Sequence, residues 1–515
     1  MRFRQKRRRS IHLHSEVIPD TAAGQLALGS LTTGSYNSAA GIYSLLSLTT
    51  GSFNTANGAG TLLSNTANEN TATGAAALLS NTTGSQNTAA GAFSLFSNTT
   101  GDINTAIGST ALQNNTTGGE NTATGAAALL SNTIGGQNTA AGAFALSSND
   151  TGSDNTAIGD SALFSNTSGG DNTAIGYHAL FQNTGDLNTA TGWQALNSNT
   201  TGAANTANGL SALLNNTTGN FNTAIGERAL QNNSTGDENT ATGHNALAGN
   251  TNGFGNTAIG SHALENNTNG ADNTAIGDNA LENDTAGGVN VAVGVDALQN
   301  CTIGQANIAI GVNAGSNVTT ANAVICLNSD GDNVTGTTWI GGIFDVGVPS
   351  GVSVFVSAAG QLGTFSSSRR FKKEIKPMDT TSEAILALKP VTFHYKNDKA
   401  NTPQFGLIAE EVAEVNPDLI VRDKNGEIYA VRYEAVNAML LNEFLKDHKK
   451  VEEQRATIAE LKSTVTQQQN EFRAAIAKQR KEFEARLELQ DAKIQTVNDW
   501  IEMNKNAPQT VANDR

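Results

Sequence analysis

The sequence predicts a mainly β N-terminal solenoid of 16–17-residue coils, then a small α+β domain and a long C-terminal coiled-coil helix. Three observations carry this reading. One phrase returns in register through most of the chain. Basic residues arrive abruptly near residue 369. Apolar residues then recur every seven positions.

The phrase is seen in "NTAIGDSALFSNTSGGD" from Asn155 and "NTAIGYHALFQNTGDL" from Asn172. It begins at Asn37 and recurs to Asn307, in 17 copies. Steps are 17 residues, except two of 16, at Asn54 to Asn70 and Asn172 to Asn188. Glycine lies four places after each of these asparagines, from Gly41 to Gly311. Leucine lies eight places after, from Leu45 to Leu298, and gives way to Gly315 in the last copy. Composition alone, rich in Gly, Asn, Thr and Ala, reads as a disordered tract. Leucine held in register excludes that, because a stacked coil needs its Leu above the Leu below. The recurring Asn can form an amide ladder along the axis. The "NTTG" segments read as turns, with Asn and Gly tolerating left-handed backbone. Seventeen residues are too few for a helical hairpin, so each coil is expected to hold two short strands and two turns. The solenoid is placed at 21–316, after a basic leader (1–20) read as a disordered tail.

Charge narrows the function classes. The net charge is -15, and Arg228 is the only arginine or lysine between Arg9 and Arg369. Such a shaft lacks the electrostatic footprint of nucleic-acid binding. Its acidic residues, among them Asp102, Asp171 and Asp278, do not recur in register, so no metal site is expected. No cofactor is expected either. Cys301 and Cys326 form neither a ligand cluster nor a disulfide framework, and read as small buried residues. No apolar run is long enough to span a membrane. "IHLHSEVIPD" follows the basic start without an apolar core, so no signal peptide is recognisable.

Past the last coil, "SGVSVFVSAAGQLGTF" alternates apolar and polar residues, and 317–365 reads as a β connector. From Ser366 the pattern becomes α+β. Thr380 and Glu383 have capping-box spacing for a short helix. "VTFHY" reads as a strand and "GLIAEEVAEVNP" as a helix ending near Asn416. "DLIVRDKNGEIYAVRY" reads as a hairpin turning at Asn425-Gly426. A long helix starts near Tyr433. Val451, Ile458, Val465 and Phe472 keep a heptad, with Leu461 between them. The step from Phe472 to Ile476 is a stutter. Gln454, Gln468 and Gln479 place polar groups along the seam, as residues that set register do. The coiled coil is placed at 451–503 and a disordered tail at 504–515.

Three segments, "SSRRFKKEI", "PQFGLIAEEV" and "VRYEAVNAMLLNEFLK", in that order ahead of a coiled coil, resemble the C-terminal intramolecular chaperone domain of phage tailspikes and fibres, the endosialidase type. The resemblance covers about 366–450. It implies a homotrimer, and a domain that helps the fibre trimerise and then cuts itself off with a Ser-Lys pair. The family pattern is Ser-Asp-x-Arg-x-Lys. On this chain Ser367 takes the serine position, Arg370 the arginine and Lys372 the lysine, while Ser368 stands where the Asp is usual. The implied scissile bond is Ser366-Ser367. The repeats loosely resemble trimeric autotransporter adhesin heads, but "EMNKNAPQTVANDR" does not read as a membrane β-strand of that family.

The residues themselves set conditions on that chemistry. A serine hydroxyl needs a base, and a lysine serves only when neutral. Arg369, Arg370 and Lys373 crowd Lys372 with like charge. Residues five apart can meet only across a turn or between chains. His394, His448, Glu410 and Glu411 form no ordered acid-base set and read as structural. The resemblance implies an extracellular, cell-surface or virion location. A host-surface glycan or protein remains open as a partner, and so does an uncut surface protein that keeps the domain as a clamp.

Overall fold

The computed structural model describes residues 20–505, apart from 345 and 349. The disordered states expected of the leader and the tail therefore fall almost wholly outside the described residues, and Asn504 and Lys505 are helical. The chain divides into two compact units, Met1–Gly347 and Val348–Arg515.

The first unit is a β-solenoid. Twenty three-residue strands, from Thr21–Ala23 to Thr338–Ile340, pair in parallel, each with the next along the chain. Register is residue for residue: Thr156 lies over Thr173, Ala157 over Ala174 and Ile158 over Ile175. At about 4.8 Å per strand the ladder is on the order of 90 Å long.

Each coil has one strand, not the expected two. The rest of the coil runs through alternating left-handed residues, such as Ser161 (φ 55°) and Leu163 (φ 53°). A left-handed non-glycine residue costs roughly 1–2 kcal/mol. Stacking compensates, because N–H groups reach neighbouring coils in both directions. Leu163 N–H donates to Ala179 O (3.0 Å), and Ser161 N–H donates to Ala143 O (2.9 Å). Leu163 is also fully buried, a gain of roughly 1.5–3 kcal/mol. The core repeats in three columns per coil: the strand alanine (Ala157), the turn alanine (Ala162) and the leucine (Leu163).

Two amide ladders close the core. In the expected one, Asn155 Nδ2 donates to Asn138 Oδ1 (3.1 Å) and to Gly169 O (2.9 Å). The second uses the asparagine of "NTTG": Asn98 Nδ2 donates to Asn81 Oδ1 (2.7 Å) and to Gly101 O (3.0 Å). These asparagines are fully buried and do not have the left-handed backbone expected of them. Their glycine is required by close approach rather than by φ. A Cβ on Gly101 would stand 2.3 Å from Gly118 O and 2.6 Å from Asn98 Oδ1. The glycine after each strand from Thr21–Ala23 to Ile308–Ile310 differs, with φ +136° at Gly108.

The ladder continues past residue 316. Strands Ile325–Leu327 and Thr338–Ile340 extend it, although their coils have lost the repeated asparagine. Backbone hydrogen bonds propagate without that side chain, so 317–340 belongs with the shaft. The remainder of the expected connector forms a two-stranded hairpin, Phe355–Val356 with Leu362–Gly363, in the second unit.

The second unit pairs Val391–Phe393 with Gln404–Gly406, and Ile420–Arg422 with Ile428–Val431, both antiparallel. Helix α1 is Ala409–Val415 and helix α2 is Tyr433–Lys505. α2 runs unbroken through the expected stutter. A small core of Val412, Leu419, Ile420 and Met439 joins α1, the second hairpin and the start of α2.

Candidate functional site

The basic seam forms a single 3-10 turn, Arg369–Phe371. Ser368 O accepts from Phe371 N–H (3.0 Å), and Arg369 O accepts from Lys372 N–H (3.1 Å). Ser366 Oγ accepts from Ser368 N–H (3.3 Å). The Arg370 guanidinium lies 4.6 Å from the centre of the Phe371 ring. The turn lies between Ser367 and Lys372 along the chain.

Ser366, Ser367, Ser368, Arg370 and Lys372 are all exposed. Among the described residues, no hydrogen bond joins the Ser367 hydroxyl to the Lys372 amine. Burial is what neutralises a lysine, and this single chain does not bury Lys372. His394 is exposed beyond its strand, and Glu410 and Glu411 are exposed on the first turn of α1. His448 packs edge-on against Phe444 within α2.

Residues 367–421 match the family described as chaperone of endosialidase. The match opens on Ser367. No curated protein and no solved structure matches the chain. A segment that matches this family therefore follows the β-solenoid shaft along the chain, and the match begins at the basic seam.

The matched segment is fastened to α2 by a polar cluster that sequence reasoning missed. The 3-10 helix Asp379–Ala387 carries Ser382, which is fully buried. The Ser382 hydroxyl donates to Glu443 Oε1 (2.5 Å) and accepts from Asn442 Nδ2 (2.6 Å). Lys446 Nζ donates to Glu443 Oε1 (2.7 Å) and to Glu383 (3.3 Å). The Lys446 and Ser382 hydrogen bonds hold the Glu443 carboxyl below the usual carboxylate range. The same bonds to Glu443 and Glu383 hold the Lys446 amine above its ordinary value.

This cluster also corrects the expected capping box. The N-cap is Met378, with no side-chain cap, and Glu383 turns to Lys446 instead of to the helix start. Nothing local marks Ser382, since its partners lie about 60 residues away.

In the single chain, large apolar groups of this unit stay open to solvent. Phe405 is 80% exposed and Tyr429 76%. Along α2 the heptad residues Val451, Ile458, Leu461, Val465 and Phe472 are exposed as well. No helix among the described residues is long and apolar enough to cross a membrane.

Proposed function

We propose that this chain is a trimeric, phage-tail-fibre-like protein in which the solenoid is the lasting product. The C-terminal segment acts as an intramolecular chaperone that brings three chains together through α2. It is then released by one self-cleavage before Ser367. The observation that carries the reading is the order along the chain: a β-shaft that ends at Ile340, a short hairpin, and then the chaperone match, which begins at Ser367.

The exposed heptad stripe of α2 supports self-association, because an apolar seam of this length is buried only by other helices. Ser367 is the nucleophile, Lys372 the base, and Arg370 the cation beside it. Assembly supplies the burial that the lysine needs. The Ser367 hydroxyl attacks the Ser366 carbonyl carbon and passes its proton to Lys372. Lys372 returns that proton to the Ser367 nitrogen, which leaves as a free amine, and water then hydrolyses the ester to the Ser366 carboxylate and the Ser367 hydroxyl. Ordering assembly before cleavage makes the step single-turnover and marks a finished fibre.

Ser368, at the position where the family has Asp, favours a second reading. In it the domain stays attached as a permanent trimer clamp on a surface or secreted protein. Intact mass of freshly expressed chain, under denaturing conditions, separates the two. Two fragments divided at Ser366-Ser367, absent in Ser367→Ala, support release. One mass of 53.2 kDa in both proteins sinks the cleavage step and leaves the clamp.

A further inference from the structure

Release of residues 367–515 would remove α2, and with it the element proposed to hold three chains together. Something in the shaft must then keep the product assembled. The outward face of the parallel sheet offers a specific place.

Each strand from Ser38–Ala40 to Ile325–Leu327 points its first and third residues outward and its second into the core. Fourteen consecutive strands, from Thr55–Asn57 to Thr274–Ile276, begin with threonine. The next three are Val291–Val293, Ile308–Ile310 and Ile325–Leu327. The third-residue column already carries Ile at Ile259 and Ile276; in these three strands the first-residue column turns apolar as well, so both outward columns are apolar together. None of the six side chains is buried, and Ile310 is 47% exposed. No outward strand position carries a charge in any of the 20 strands, in a chain of net charge -15.

We propose that Val291, Val293, Ile308, Ile310, Ile325 and Leu327 form a self-association collar at the C-terminal end of the shaft, and that its occupant is the same face of further copies of this chain. The proposal rests on the trimer reading above. Copies with the same negative charge repel wherever acidic faces meet. A charge-free strip is where they can approach, and its apolar part is where approach removes surface from water. Other occupants fit worse. Three strands span roughly 10–15 Å, well short of a bilayer core of about 30 Å. The six side chains offer no hydroxyl, amide or aromatic ring to hold a sugar. The collar lies before Ser366, so it stays with the shaft when the chaperone segment leaves.

Cysteine cross-linking in the full-length chain tests the collar. Ile310→Cys places a thiol on the collar. Asn300→Cys places one on an exposed turn of the preceding coil, away from the strands. The native Cys301 and Cys326 are buried and provide a silent background. After mild oxidation, Ile310→Cys is expected to run largely as disulfide-linked pairs on a non-reducing denaturing gel, with Asn300→Cys and wild type unlinked. Native mass of the same samples is read in parallel. Three chains by mass with no linkage at Ile310, or with equal linkage at both positions, overturns the collar and leaves the trimer reading in place. One chain by mass overturns the trimer reading, and the collar with it.

Discussion

Asp284 stands one coil above Asn267 in the second amide column, and the two residues bury oxygens that find no donor. Elsewhere in the column an amide nitrogen meets the oxygen below, as Asn267 Nδ2 meets Asn250 Oδ1 at 2.8 Å. At Asp284 there is no amide nitrogen, and both Asn267 Oδ1 and Asp284 Oδ2 lack partners. A similar orphan, Asn166 Oδ1, lies just below a 16-residue coil. Only a proton on Asp284 restores the rung. Burial pushes this carboxyl up to about 7, against one hydrogen bond from Gly287 N–H that lowers it. The Cys301 thiol above is pushed up to about 11, chiefly by burial and then by Asp284.

The pH dependence follows from that proton. The folded chain keeps it up to about pH 7, while the unfolded chain gives it up near 3.8. The folded state therefore binds more protons between those values, and shaft stability falls as pH rises through that window. At ~1.4 kcal/mol per pH unit, the full effect is on the order of 4 kcal/mol. Asp284→Asn completes the rung without a proton. Melting of wild type and variant at pH 5 and pH 8 is expected to show a larger gain for the variant at pH 8 than at pH 5. Equal gains at both pH values would mean that Asp284 is not the titrating group.

Acid should act in the opposite direction on the second unit. The Glu443 carboxyl is held low by Lys446 and Ser382. Its contribution is present at neutral pH and is lost as pH falls through its folded value. Ser382→Ala is expected to lower the melting point of this unit at pH 7 and to weaken its acid sensitivity. A variant that melts like wild type at pH 7 would show that the cluster does not anchor the 3-10 helix.

Two glycines separate close approach from mere composition. A Cβ at Gly101 stands 2.3 Å from Gly118 O, inside the amide ladder. A Cβ at Gly119 meets nothing nearer than Asp102 O at 3.2 Å. Gly101→Ala is expected to open the local coils, read as lost amide exchange protection around 98–118, and Gly119→Ala to leave protection near wild type. Leu163→Ala, which empties one rung of the leucine column, should cost about 2–5 kcal/mol. Comparable protection loss in both glycine variants would contradict the packing difference.

At the seam, charge and proton transfer can be told apart. Lys372→Arg keeps the positive charge but supplies a group that does not give up its proton. It is expected to stay at full-length mass where the wild type splits. Ser368→Asp restores the family's residue and is expected to raise the cut fraction. Cleavage of Lys372→Arg at the wild-type rate would remove Lys372 from the role of base.

The sequence by itself determined the repeat, its period, its leucine and alanine core and its first amide ladder. A solenoid stacks one short phrase on itself, so local pattern and tertiary contact are the same information. The hairpin at Asn425-Gly426 and the start of α2 near Tyr433 were legible for a similar reason, since turn chemistry and helix periodicity act over a few residues. The tertiary structure decided what depends on distant neighbours. It gave each coil one strand, because left-handed residues complete the circuit through hydrogen bonds to the coils on either side. It turned the "NTTG" asparagines inward, carried the ladder to Ile340 without the repeated asparagine, and drew Glu383 away from its cap to Lys446. The Ser367 and Lys372 positions were legible only through family resemblance. Five residues of spacing do not define a site, and the burial that would make a lysine a base has to come from contacts beyond the local chain.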